Sequence, residues 1–189
     1  MRFQLRLKRG EAYDNSCVVD RYKKNNSWMF WGSLVGVERG PCVFWEKDWG
    51  NMTSEGYREH ILPKVVDWIR TKSEETGRKY FFMQDNAPVH RARSAREYLD
   101  ANGIEPIPWT AYSPDLNPIE NVWSAMERYI QEQYPEFERD RQRNRAEVRP
   151  IVLEAWYDST NEAKLSQLIR SMPKRCDDVI EARGGPISY

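Results

Sequence analysis

Two carboxylates with 34 residues between them, Asp85 and Glu120, are the side chains of this 189-residue chain most suited to do chemistry. Asp85 follows an apolar run, Tyr80-Phe81-Phe82-Met83, and the polar Gln84. Glu120 closes Asn117-Pro118-Ile119-Glu120, a stretch with the form of a helix start. Paired acids without a Cys/His ligand set suit Mg²⁺ or Mn²⁺, hard ions that prefer oxygen. Two such ions about 4 Å apart activate a nucleophile and stabilise the leaving oxygen in phosphodiester chemistry. Arg91, Arg93 and Arg96, just beyond Asp85, would then face phosphates. Each residue also has a plain role when taken singly. Asp85 can help cap a helix opened by Pro88, and Glu120 stands where a capping-box glutamate reaches back. His90 can be an ordinary helix-end histidine, and the arginines a solvated face.

The elements around the acids follow from periodicity. Tyr80 to Met83 is continuous apolar sequence, as in a strand buried on both faces. An acid at the C-terminal end of such a strand lies where open α/β sheets place their ligands. From Pro88 a helix turns Val89, Ala92, Ala95 and Leu99 inward, and Asn102-Gly103 stops it. Ile104 to Trp109 holds two prolines and can be a strand only at a sheet edge. Asn117 as cap and Pro118 at the first position open a helix whose inward stripe is Ile119, Trp123, Met126 and Ile130. Upstream, Phe3, Leu5 and Leu7 alternate with polar residues, and Arg9-Gly10-Glu11 turns the chain. Ser27 to Val37 reads as a strand, Gly40-Pro41 as a turn and Cys42 to Trp45 as the hairpin partner. A helix capped by Thr53 or Ser54 buries Tyr57, Ile61, Val65, Trp68 and Ile69, and Pro63 kinks or divides it. Glu138 to Arg149 is a charged connector, roughly Val148 to Arg170 an amphipathic helix, and a frayed tail follows Gly184-Gly185. Strands first, then alternating helix and strand, mean an α/β fold, a mixed sheet with helices on its faces.

Composition narrows the partners. Lys plus Arg and Asp plus Glu are each 29, so nucleic acid must be met by a local patch. No apolar run nears the roughly 18 residues of a membrane helix, and the N-terminus lacks a signal-peptide block. Cys17, Cys42 and Cys176 have no paired spacing, and with two histidines they read as free thiols in a reducing compartment, not a zinc site.

Gln84-Asp85-Asn86-Ala87-Pro88-Val89-His90, then Trp109, then Ser113-Pro114-Asp115-Leu116-Asn117-Pro118-Ile119-Glu120-Asn121-Val122-Trp123, closely resembles the catalytic domain of Tc/mariner superfamily transposases. Arg9-Gly10-Glu11-Ala12-Tyr13, Phe30-Trp31-Gly32 and Gly40-Pro41 extend the likeness. The resemblance implies a ribonuclease-H-like fold in which three acids hold two Mg²⁺ or Mn²⁺ ions to cut and rejoin DNA. Asp85 and Glu120 match the second and third acids as catalytic and metal-binding residues. His90, Arg91, Arg93 and Asn117 are then expected on the DNA side of the site. The partners implied are transposon ends and target DNA, with a homo-oligomer and a nuclear location in a eukaryotic cell. Residues 1–135 would form the catalytic domain and 136–189 a helical extension with its tail.

The match departs from the family pattern at its first acid. That acid belongs to a short Asp-Glu-Ser-type motif on the first strand, ahead of the Arg-Gly-Glu-Ala-Tyr segment. Here the segment begins at Arg9, Phe3 to Lys8 contain no carboxylate, and Glu11, Asp14 and Asp20 fall after the turn. The family's helix-turn-helix region has no counterpart either. The expectation is a domain lacking its first strand, with two of three acids, weakened metal binding and little cleavage. The alternative is a non-catalytic DNA-binding or assembly module of transposase descent.

Overall fold

A computed structural model describes residues 28–110, 113–137, 144–185 and 187. The expected strand Phe3–Leu7, the Arg9–Glu11 turn, Cys17, the strand's start at Ser27 and 138–143 of the connector lie outside the described residues.

The hairpin pairs β1 (Phe30–Val35) with β2 (Glu38–Phe44) in antiparallel register. Its turn falls at Gly36-Val37, where Gly36 takes φ +55°, and not at Gly40-Pro41. Gly40 and Pro41 sit within β2 as a bulge: Gly32 pairs with Cys42 and Leu34 with Arg39, leaving both opposite Ser33. Proline has no N–H for the ladder, so a bulge is the way a strand absorbs it. The Ser33 hydroxyl donates to the Pro41 carbonyl at 2.9 Å.

Alternation along this hairpin builds the layers. Trp31 and Val43 are partners packed with Tyr57, Ile61, Val65 and Leu99. The next pair, Phe30 and Phe44, faces Val122, Met126, Val152 and Trp156 on the other side. Successive side chains on a strand point to opposite faces, so two helical layers cover one sheet. The first comprises α1 (Ser54–His60), α2 (Leu62–Thr76), α3 (Pro88–Arg91) and α4 (Arg93–Ala101). The second comprises α5 (Pro118–Gln133), α6 (Arg145–Ser159) and α7 (Glu162–Glu181).

Local chemistry accounts for most boundaries. Thr53 caps α1 by accepting from Gly56 N–H at 3.1 Å. The break at Ile61 divides α1 from α2, with Pro63 in the first turn of α2, the division its ring favours. The helix after Pro88 breaks at Ala92, whose ψ of 145° is extended and which has no side chain to cap α4. Gly103 closes α4 at φ +68°. The expected single helix from Val148 to Arg170 is two. Asn161 breaks it and caps α7 by accepting from Lys164 N–H at 3.0 Å.

The Tyr80–Met83 run is less regular than expected. A single parallel bridge joins Phe82 to Pro106, made by Phe82 N–H to Glu105 O at 3.3 Å and Ile107 N–H to Phe82 O at 2.8 Å. Pro106 and Pro108 cannot donate, so the ladder stops there. Phe82 is buried, whereas Phe81 is 52% exposed, so burial alternates instead of covering both faces.

Candidate active site and its relatives

Asp85 lies three residues past the Phe82 bridge, in the loop before α3. Its Oδ1 accepts from Ala87 N–H at 2.9 Å and meets His90 Nδ1 at 2.6 Å. The first contact closes an Asx turn within the loop and does not cap α3, which has no side-chain cap; the second ties the acid to an imidazole of which 14% is exposed. Oδ2 carries neither bond. A network behind the pair holds it in place. The Tyr57 hydroxyl donates to Gln84 Oε1 at 2.9 Å, and Gln84 Nε2 donates to the His90 carbonyl at 3.2 Å. The Tyr57 ring packs on the His90 ring with centroids 4.5 Å apart. Asn86 Nδ2 donates to Trp109 O at 2.9 Å, joining the acid loop to the segment after Pro108.

Glu120 occupies the first turn of α5. Asn117, itself buried, caps that helix by accepting from Ile119 N–H at 3.4 Å. A reciprocal capping box forms at α6, between Asn144 and Glu147. At α5 the Glu120 side chain instead lines the cleft that Asp85 lines. This cleft, of about 490 Å³, runs between β1 and the 80–85 segment. Asp85, His90, Asn117 and Glu120 thus come together on its wall, although two of them lie far from the others in sequence. Arg91 and Arg93 are exposed and do not line it, and Arg93 pairs with Glu97 at 2.6 Å. Tyr57 and Gln84 were legible only as a core position and a motif letter. Their hydrogen bond links residues 27 apart, for which the sequence carries no short-range signal.

The acids are electrostatically unequal. The hydrogen bond from His90 holds the Asp85 carboxyl below its usual range, and the Ala87 N–H adds to this. Burial raises the Glu120 carboxyl, and the charge of Asp85 raises it further. Burial, then the same charge, also pushes the Tyr57 hydroxyl well up. Two carboxylates that repel across a half-buried cleft are relieved by a cation, and hard oxygen donors fit Mg²⁺ or Mn²⁺. Among the described residues no group of three or more His, Cys, Asp or Glu is placed to hold a metal ion. Cys42 and Cys176 are free thiols, and no helix of the described residues is long and apolar enough to cross a membrane.

The architecture has solved counterparts. The chain superposes on the Mos1 transposase catalytic domain, solved with raltegravir and Mg, at a TM-score of 0.70 and 19% identity, over 86% of this chain and 78% of that one. A pre-cleavage Mos1 transpososome matches with a TM-score of 0.72 at 18% identity, over 100% of this chain and 53% of that one. These likenesses show the fold, which is ribonuclease-H-like α/β. In sequence, the Tc3 transposase of Caenorhabditis elegans is 32% identical over 164 residues, covering 85% of this chain and 45% of that protein. The Tcb1 transposase of Caenorhabditis briggsae is 29% identical over 163 residues, covering 86% of this chain and 55% of that protein. The chain thus spans about half the length of the curated relatives it matches. The family model described as DDE superfamily endonuclease matches residues 46–141, the stretch that carries both cleft acids. With fold, motif and acid placement in agreement, the chain belongs to the DDE superfamily endonucleases, among the Tc/mariner transposases.

Proposed function

We propose that this chain contributes metal-dependent cleavage and joining of DNA strands during transposition, with Asp85 and Glu120 as metal-binding acids. The observation that carries the reading is the convergence of these two carboxylates on one cleft from separate elements. Bound there, Mg²⁺ or Mn²⁺ supplies an activated nucleophile and a stabilised leaving oxygen. Asp85 and Glu120 are the residues that hold it, and His90 orients Asp85. Mos1 transposase has been solved with Mg, with Mn and as a paired end complex, which supports divalent ions and a paired-end assembly here. The nucleus is the compartment such an activity requires in a eukaryotic cell.

We infer that Asp85 and Glu120, as a pair of acids on the cleft wall, hold the ion weakly and support slow cleavage. A Mn²⁺-dependent nuclease assay on purified chain tests both parts, with Asp85→Asn and Glu120→Gln as controls. Weak cleavage abolished by either substitution supports the reading. Cleavage indifferent to both sinks the assignment of the acids, and robust cleavage overturns the impairment.

One observation favours a second reading, a DNA-binding or assembly module without chemistry: Arg91 and Arg93 are exposed beside the cleft loop instead of within it. Such a module retains DNA in Asp85→Asn, loses it with rising salt and binds less well as Arg91→Ala or Arg93→Ala. Failure to bind duplex DNA at low salt would remove it.

A further inference from the structure

Arg175 is a charged side chain at the bottom of the second helical layer, only 5% exposed. Burying a guanidinium is costly unless its N–H groups meet acceptors. Its Nε donates to Ser171 Oγ at 2.9 Å, one turn earlier on α7. Its Nη1 donates to Asn121 Oδ1 at 2.7 Å and to the Asp115 carbonyl at 3.3 Å. Asp115 belongs to the 3-10 turn Pro114–Leu116, and Asn121 follows Glu120 directly. One planar group therefore grips the chain on both sides of the cap and first turn that present Glu120. A second tether comes from the same end of the chain, where Ile187 N–H donates to Asp115 Oδ2 at 3.3 Å. Independently, Ile169 of α7 lines the cleft that holds both acids. The C-terminal helix thus reaches the cleft through Ile169 and, through Arg175, the turn that carries Glu120.

We propose that Arg175 is a positioning residue for Glu120: it fixes the turn from Pro114 to Asn121 and so the place of the Glu120 carboxylate in the cleft. The role of Glu120 as a metal ligand rests on the reading above; the clamp on the turn does not. Arginine suits the task because its fork reaches Ser171 and the turn at once, which the point charge of lysine does not reproduce. The side-chain cap bond of the turn is long, 3.4 Å from Ile119 N–H to Asn117 Oδ1. Arg175 thus adds to the backbone bonds from Asn117 N–H to Pro114 O at 2.9 Å and from Glu120 N–H to Asn117 O at 3.1 Å.

The test compares the full chain with Arg175→Met, Arg175→Lys and Asn121→Ala, by amide hydrogen exchange and by Mn²⁺ titration. Asn121→Ala removes one acceptor and leaves the buried core in place, so it serves if Arg175→Met does not fold. The expected result is faster exchange in the 113–123 peptide with the α6 peptide unchanged, and Mn²⁺ affinity lower by about 10- to 100-fold, the usual cost of removing support for a ligand. Arg175→Lys should fall between. Unchanged exchange at 113–123 in a folded variant overturns the clamp, whatever the metal does. Faster exchange with full Mn²⁺ affinity overturns the positioning of Glu120. If the parent chain takes no Mn²⁺, the metal reading fails by itself, and exchange at 113–123 still decides for or against the clamp.

Discussion

His90 meets Asp85 through Nδ1, and this contact holds Oδ1 of the better exposed acid and lowers the range in which it titrates. Removing the ring as His90→Ala leaves Asp85 Oδ1 held by the Ala87 N–H alone and takes away the main cause of its depressed titration. Mn²⁺ affinity should fall by about 10- to 100-fold, with His90→Asn retaining part of it, as calorimetric titration would read. The buried Tyr57 hydroxyl, bonded to Gln84, stands behind the imidazole. Tyr57→Phe should cost about 0.5–1.5 kcal/mol in denaturant unfolding, the net worth of one hydrogen bond. Glu120 gives a prediction of opposite sign. Burial and the charge of Asp85 disfavour its ionised form, so the folded chain binds that proton more tightly than the unfolded chain does. Stability is then lost as pH rises past the unfolded value and stays lost above the folded one. Glu120→Gln should therefore raise the melting temperature in metal-free buffer near pH 7. A lower melting temperature there would contradict the repulsion inferred between the acids.

At the level of elements, hairpin and helices depend on a few close contacts. A Cβ added at Gly32 would lie 2.6 Å from the Trp156 ring, which is 1% exposed. Gly32→Ala should cost about 1–3 kcal/mol by overpacking, and Trp156→Ala about 3–5 kcal/mol by emptying the core on the other side of the same contact. Equilibrium unfolding of both variants checks the pair. Helix starts are largely legible in the sequence, because a cap is a bond between residues two or three apart: residue type offers Thr53 or Ser54 for α1 and Asn117 for α5, and the structure uses Thr53 and Asn117. Pro63 likewise announced the division between α1 and α2. A Gly-Pro pair suits a hairpin turn as well as a bulge, and only the pairing register, which puts Gly40-Pro41 in a bulge, distinguishes them. The break at Asn161 was hidden because apolar spacing continues across it into α7.

In the whole molecule, both layers grip one hairpin, and the core around Phe30 and Trp156 joins α5, which carries Glu120, to α6 and α7. If Asp85 and Glu120 hold the metal, Mn²⁺ at about 100 times its Kd should stabilise the chain by about 2.7 kcal/mol. Asp85→Asn should abolish that gain, and calorimetric unfolding with and without the ion is the measurement. What the sequence by itself determined is local or motif-borne: the lineage, the two acids, the Asn117 cap ahead of Glu120 and the two strands of the hairpin. Each is written in neighbouring residues, where bonds span a turn or less. Only the tertiary structure decided that His90 turns to Asp85, that both acids share one cleft, and that Arg175 reaches back to the turn of Glu120. Those pairings join separate elements, and which faces meet is set by packing of the whole core, which periodicity along one helix does not specify.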